Sequence, residues 1–174
     1  TNPKAGQTLK LIINDTFTTL SSGITKTGRE LPCEVGDVWI GYYDGSSWKQ
    51  IGGTVGMGNV FVAIDPPDAV GDWIAPSTTT FTDVDLSDDG VRKGADRALL
   101  SCFINPSVNT PIVQTRRNGS SATGNATFAQ GSDPSTSTSA RFEVNLDDDA
   151  VFEARFSSTW TATTNECFCR GFYI

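Results

Sequence analysis

The chain has 174 residues, 37% of them hydrophobic and 19% charged, enough to fill the core of one ordinary domain or two small ones and too apolar for a disordered chain. Its 20 acidic side chains outnumber 13 basic ones, and a net charge of −7 repels phosphate and argues against a nucleic-acid partner. There is no histidine, which removes the commonest general base, the commonest metal ligand and every Ser-His or Cys-His nucleophile.

No apolar run approaches the ~18 residues that cross a bilayer, so membrane insertion is not expected. The N-terminus lacks the pattern of a signal peptide, and a start at Thr1 instead of Met is expected of a trimmed chain.

Residues 8–14, TLKLIIN, predict a first short strand. Residues 21–32 are polar and read as a loop. Residues 37–51, DVWIGYYDGSSWKQI, predict a hairpin around Asp44-Gly45, because Asp-Gly between apolar runs is a strong turn signal. The glycine-rich 52–58 lacks the Gly-Lys-Ser/Thr ending of a phosphate loop and reads as a turn. VFVAI at 60–64 is a buried-type strand, stopped by Asp65-Pro66-Pro67-Asp68 since proline cannot join a ladder. Pro76 to Thr80 reads as a joint, dividing a β-rich N-terminal attachment or assembly region (1–75) from a sandwich domain (76–174).

Beyond the joint, Phe81–Leu86, Arg97–Ile104, Ile112–Arg117, Ala126–Ala129 and Glu166–Ile174 read as short strands, with a turn at Ser87–Gly90 and breaks at Asn105-Pro106 and Asn118–Ser121. Residues 131–139 read as a polar loop. RFEVNLDDDAVFEARF at 141–156 shows strict period-two alternation in both arms. Phe142, Val144 and Leu146 oppose Arg141, Glu143 and Asn145; Phe152, Ala154 and Phe156 oppose Glu153 and Arg155. The segment reads as a hairpin whose greasy face needs a second sheet. Short strands at this spacing predict an all-β, antiparallel β-sandwich with a smaller β-rich N-terminal region. The last strand is largely apolar on both faces. That fits a central strand or one covered by a neighbouring subunit; as a chain end near a sheet edge it needs the second, which predicts a homotrimer contact through Phe168, Arg170, Phe172 and Tyr173.

The four cysteines, Cys33, Cys102, Cys167 and Cys169, form no C-x-x-C pair, so zinc is not expected. Cys167 and Cys169 are two apart on one strand, with parallel side chains that disfavour a bond. Cys102 is in phase with Ala98, Leu100 and Ile104, as a small buried residue would be. The expectation is reduced, structural thiols and no essential disulfide, as in a protein assembled in a reducing cytoplasm.

Two acidic clusters, Asp83/Asp85/Asp88/Asp89 and Asp147/Asp148/Asp149, lack EF-hand spacing and read as solvated turns, so neither metal nor cofactor is expected. Glu143 and Glu153 have the residue type of a glycosidase pair, but Arg141 and Arg155 beside them explain them as ion pairs, and no enzymatic activity is expected. The aromatics Trp39, Tyr42, Tyr43, Trp48 and Trp73 are the candidate binding residues, since such faces hold sugars or partner proteins.

The order DVDLSDDGVRKGADRALLSCFI, QTRRNGSSATGN, ARFEVNLDDDAVFEARFS and CRGFYI resembles the C-terminal β-sandwich modules of tailed-bacteriophage virion-surface proteins, chiefly tail fibres and spikes. Gly94-Ala95-Asp96-Arg97-Ala98-Leu99-Leu100, Arg116-Arg117-Asn118-Gly119-Ser120-Ser121 and Gly171-Phe172-Tyr173 carry the likeness over 80–174, and GDVWIGYYDGSSWKQIGG carries it loosely over 36–53. The resemblance implies a jelly-roll-like module on a virion, often trimeric, in contact with other virion proteins and with a host surface glycan or protein. The chain departs from the pattern in lacking a repetitive shaft, which keeps a head-decoration protein as an alternative. A secreted carbohydrate-binding module or carboxylate-based glycan hydrolase is the reading from another class.

Overall fold

The computed structural model describes residues 2–16, 18–57, 60–108, 112–122, 125–129 and 138–174. The period-two segments become strands: β1 (Thr8–Ile12), β2 (Thr19–Leu20), β3 (Leu31–Pro32), β4 (Val38–Tyr43) and β5 (Trp48–Gly53), then β6 (Phe61–Ala69), β7 (Thr82–Asp85), β8 (Arg97–Val108), β9 (Ile112–Arg117), β10 (Asn125–Ala129), β11 (Thr138–Asn145), β12 (Val151–Phe156) and β13 (Thr161–Tyr173). A 3-10 turn at Ser87–Asp89 is the sole helical element among the described residues. The loop at 131–139 lies largely outside them.

The last eight strands form two antiparallel four-stranded sheets, ordered β11-β8-β13-β6 and β10-β9-β12-β7. Every connection except β9 to β10 changes sheet. One core fills the space between the sheets. Ala98, Leu100, Cys102 and Ile104 enter it from β8, Val113 from β9 and Phe152, Ala154 and Phe156 from β12, none more than 1% exposed. This is the all-β antiparallel sandwich that the alternation predicts.

Four expectations are corrected. Residues 141–156 form two strands with the expected faces, but no hairpin: β11 pairs with β8 in one sheet and β12 with β7 and β9 in the other. The acidic turn is therefore a corner between sheets, and the apolar arms face each other across the core. Next, β13 lies between β8 and β6, which is the central-strand reading of its two apolar faces, and not near an edge. Its register shifts between Cys169 and Gly171, which reverses the phase. Cys167 and Cys169 point inward before the bulge, Phe172 and Ile174 after it. Phe172 is thus covered by its own chain.

Third, β6 does not stop at Asp65. It runs past Pro66 and Pro67 as an edge strand whose pairing with β13 skips from Ala63 to Asp68, where proline costs the ladder nothing; β8 likewise continues through Asn105-Pro106. β6, Val70 and Ile74, all ahead of Pro76, belong to the sandwich. Fourth, Cys102 and Cys167 stand opposite each other in the β8–β13 ladder, with Cα atoms 4.0 Å apart, and form a disulfide. Only Cys33 and Cys169 are free, and both are buried.

The N-terminal strands make a sheet ordered β1-β4-β5 and a short β2-β3 ladder. They enclose a second core of Ile13, Leu20, Leu31, Cys33, Trp39 and Val55. Two arginines join the parts. Arg29 donates to the carbonyls of Ala95 and Leu146, at 2.8 and 2.7 Å, and meets Asp148 at 3.4 Å. Arg92 donates to the Pro32 carbonyl at 3.0 Å and to Asp37 at 2.6 Å.

Candidate functional site

The β4–β5 hairpin is built around Asp44, whose carboxylate accepts from the backbone nitrogens of Ser46 and Ser47 and from the Ser46 hydroxyl, each at 2.8 Å. Those bonds hold the acid at a pKa of about 2 and fix the turn, so the residue after it, Trp48, has a set position. Trp48 pairs with Tyr43 across the hairpin, their ring centroids 5.4 Å apart. Trp39 lies beneath, edge-on to Trp48 at 6.3 Å. Its indole crosses Gly41, where a methyl group would fall 1.8 Å from the ring. Trp39 itself is 1% exposed and spends its N–H on the Ile24 carbonyl, so it supports the aromatic pair from the core.

The five aromatics therefore do not form one site. Tyr43 and Trp48 come together. Tyr42, 38% exposed, faces the other side of the sheet between Thr8 and Lys49; Ile12 and Ile51, each 56% exposed, lie further along that side. Trp73 belongs to the sandwich, where its indole nitrogen donates to Asn165 at 2.9 Å. Beside Trp48 opens a hollow of about 680 Å³, lined by Asn2, Pro3, Lys4, Gln7, Thr8 and Leu9 as well as the indole. None of those six stands out in the sequence; only the folding of the N-terminal segment along β4 brings them there, through Gly6 to Tyr43 and Tyr43 to Gln7 backbone bonds of 3.0 and 2.9 Å.

The residues predicted for oligomer contact also divide. Phe172 is in the core, as above. Phe168 and Tyr173 point from the outer face of the β11-β8-β13-β6 sheet, with Arg170 at the bulge between them. Phe61 packs on Tyr173 at 5.0 Å and Phe103 on Phe168 at 6.0 Å, yet Phe61 and Phe103 remain 42% and 39% exposed. Phe103 was legible as an outward residue, being out of phase with Cys102 and Ile104. Arg97 stacks 4.4 Å from the Tyr173 centroid and bonds Glu143 at 2.5 Å. Tyr173 also donates to Glu143, at 3.0 Å, and that bond foremost raises the phenol pKa. Arg170 has a buried Nε without a hydrogen-bond partner. Arg141, Arg170 and Glu166 make no ion pair among the described residues.

The arginines on the outer face of the opposite sheet have partners on that face. Arg116 grips Glu153 in a bidentate pair and donates to Ala122 O at 3.1 Å. Arg155 bonds Gln114, and Phe81 lies under both guanidiniums, 4.0 and 4.4 Å from its centroid. Glu143 and Glu153 thus sit on outward faces of different sheets, which pack ~10 Å apart, and they cannot flank one glycosidic bond. Their partners are Arg97 and Arg116, and not Arg141 and Arg155.

Each member of the Asp147–Asp149 corner has its own partner: Asn118 for Asp147, Arg29 and Arg117 for Asp148, Lys93 for Asp149. In the other cluster, Asp85 caps Ser87 and Asp89 is buried. Among the described residues no three Asp, Glu or Cys side chains converge to hold a metal ion. Against known proteins, the sequence matches no family model and no curated protein. The described residues therefore define an all-β sandwich protein with two outward-facing aromatic surfaces, one at Trp48 and one on the β11-β8-β13-β6 sheet.

Proposed function

We propose that this chain is a non-enzymatic virion-surface protein of a tailed bacteriophage, a fibre or spike module that assembles as a homotrimer and attaches to a host surface. The observation that carries the assembly part is the contrast between the two sheet faces. On the β10-β9-β12-β7 face Arg116 pairs Glu153 and Arg155 bonds Gln114 and stacks on Phe81, while Asp83 has no ion pair among the described residues. The β11-β8-β13-β6 face leaves Phe61 and Phe103 exposed, Arg141, Arg170 and Glu166 unpaired, and the Arg170 Nε buried and orphaned. Around a three-fold axis the cations of one copy meet the anion of the next, and the aromatics between them are covered. The Cys102–Cys167 bridge suits a protein that ends outside the cell.

A head-decoration role is the second reading. It is favoured by the apolar outer side of the N-terminal sheet, where Ile12, Tyr42 and Ile51 are exposed and would lie on a capsid lattice.

Light scattering of the purified chain at tens of micromolar tests the assembly part. A particle of three times 18.6 kDa is expected, and Phe103→Asp is expected to dissociate it. A soluble monomer at that concentration overturns it. Locating the chain on intact particles by electron microscopy separates tail from head.

A further inference from the structure

The hollow beside the β4–β5 hairpin has the composition of a sugar site. Its volume of about 680 Å³ lies within the ~300–1,000 Å³ of small-ligand sites, and it is open to solvent. The indole of Trp48 forms one wall, held from behind by Trp39 and at the side by Tyr43. The opposite rim is polar. Gln7 accepts from the Lys4 backbone nitrogen through its Oε1, at 2.7 Å, which leaves its amide N–H₂ to donate. Asn2 adds an amide, and the Lys4 ammonium has no ion pair among the described residues.

We propose that this hollow binds one hexose unit of a surface glycan, with Trp48 as the stacking platform and Asn2, Lys4 and Gln7 as the hydrogen-bonding rim. The proposal deepens the attachment reading above and rests on it for the source of the glycan. A pyranose ring has an apolar C–H face and an equatorial belt of hydroxyls, which matches an aromatic wall facing amides and an ammonium. Other ligand classes fit worse. A phosphate would meet a single lysine in a chain of net charge −7. An apolar peptide would bury the amides of Asn2 and Gln7 without partners.

The rim is preorganised by its own chain. The bonds from Gly6 to Tyr43 and from Tyr43 to Gln7 tie the segment along β4, and the Asp44 turn sets Trp48. Little ordering entropy is then left for the sugar to offset, as a weak single-residue ligand requires.

The test is saturation-transfer NMR of the intact chain with methyl glucopyranoside, methyl galactopyranoside, N-acetylglucosamine and glucuronic acid at millimolar concentration. Transfer to the ring C–H protons of at least one of the four is expected. Trp48→Ala is expected to abolish it, while Gln7→Ala and Lys4→Ala, on the exposed rim, weaken it at least threefold without changing the melting temperature. Tyr42→Ala, on the other side of the sheet, leaves it unchanged. No transfer from any of the four, or transfer that survives both Trp48→Ala and Gln7→Ala, overturns the site. The attachment reading fails separately: if the chain is found inside particles or absent from them while Trp48-dependent transfer holds, that reading falls and the sugar site stands.

Discussion

Arg29 and Arg92 cross the junction between the two parts of the molecule in opposite directions. Arg29 leaves the N-terminal loop and ends on two carbonyls of the sandwich; Arg92 leaves the sandwich and ends on Pro32 and Asp37 of the N-terminal part. Their side chains are 13% and 8% exposed. Gly94 lies between them with φ +81°, and a Cβ there would stand 2.3 Å from Leu31 Cδ1.

Arg29 reaches two part-buried carbonyls; its loss takes this donor from Ala95, while Leu146 keeps Arg117, which donates to it at 2.9 Å. Arg29→Ala is expected to cost about 2–4 kcal/mol, because charge-assisted bonds to Ala95 and Leu146 vanish and Asp148 keeps only Arg117. Denaturant unfolding measures this. Limited proteolysis between β5 and β6 should accelerate in the same variant. Unchanged stability and unchanged cleavage would mean that the two parts are not coupled through this pair.

Thiol counting tests the disulfide. Denatured but unreduced protein is expected to show two reactive thiols, Cys33 and Cys169, and reduced protein four. The native protein should show neither, since burial pushes the Cys169 thiol up to about 11 and also raises that of Cys33. The bridge closes 65 residues of sequence. By chain entropy, Cys102→Ser with Cys167→Ser should therefore lose about 4 kcal/mol. Four thiols before reduction would remove the bond from this account.

Asp89 sets a pH dependence. Burial first, then the neighbouring Asp68, Asp72 and Asp85 carboxylates, raise its pKa above 3.8, against the lowering effect of the Gly71 N–H. The folded state thus holds this proton more tightly than the unfolded state. Below 3.8 both states are protonated and the acid costs nothing. Stability falls as pH rises from 3.8 through the folded pKa. Asp89→Asn, uncharged among three carboxylates, is expected to raise the melting temperature at pH 7. Toward pH 4 the gain should vanish. A melting difference independent of pH would show that Asp89 is ionised in both states alike.

Gly171 is required by the bulge. Its φ is +151°, and a Cβ would fall 2.3 Å from the Val62 carbonyl oxygen and 2.5 Å from the Phe61 ring. Gly171→Ala is expected to cost about 3 kcal/mol or more by pushing β6 from β13. Gly119→Ala, also at positive φ but in open space, should cost about 1 kcal/mol. Equal losses in the two variants would show that strain alone, without the close approach of β6, governs Gly171.

The sequence by itself determined the fold class and most strand positions, because burial on one face imposes period two and the turn residues punctuate it. Phe142/Val144 and Phe152/Ala154/Phe156 are inward as their alternation predicts, and the Asp44-Gly45 hairpin forms where its turn chemistry requires. Tertiary structure decided what depends on pairing between distant segments. Alternation says which way a side chain points, not which strand lies beside it, so β11 and β12 could not be assigned to opposite sheets. The same ignorance of register hid the partner of Cys102, 65 residues away. Phase also fails at a bulge: one extra residue at Arg170 turned Phe172 into the core and left Phe168 and Tyr173 outside. The hollow at Trp48 was legible as an aromatic and nothing more, since its rim comes from polar residues that acquire a role only when backbone bonds lay them along β4.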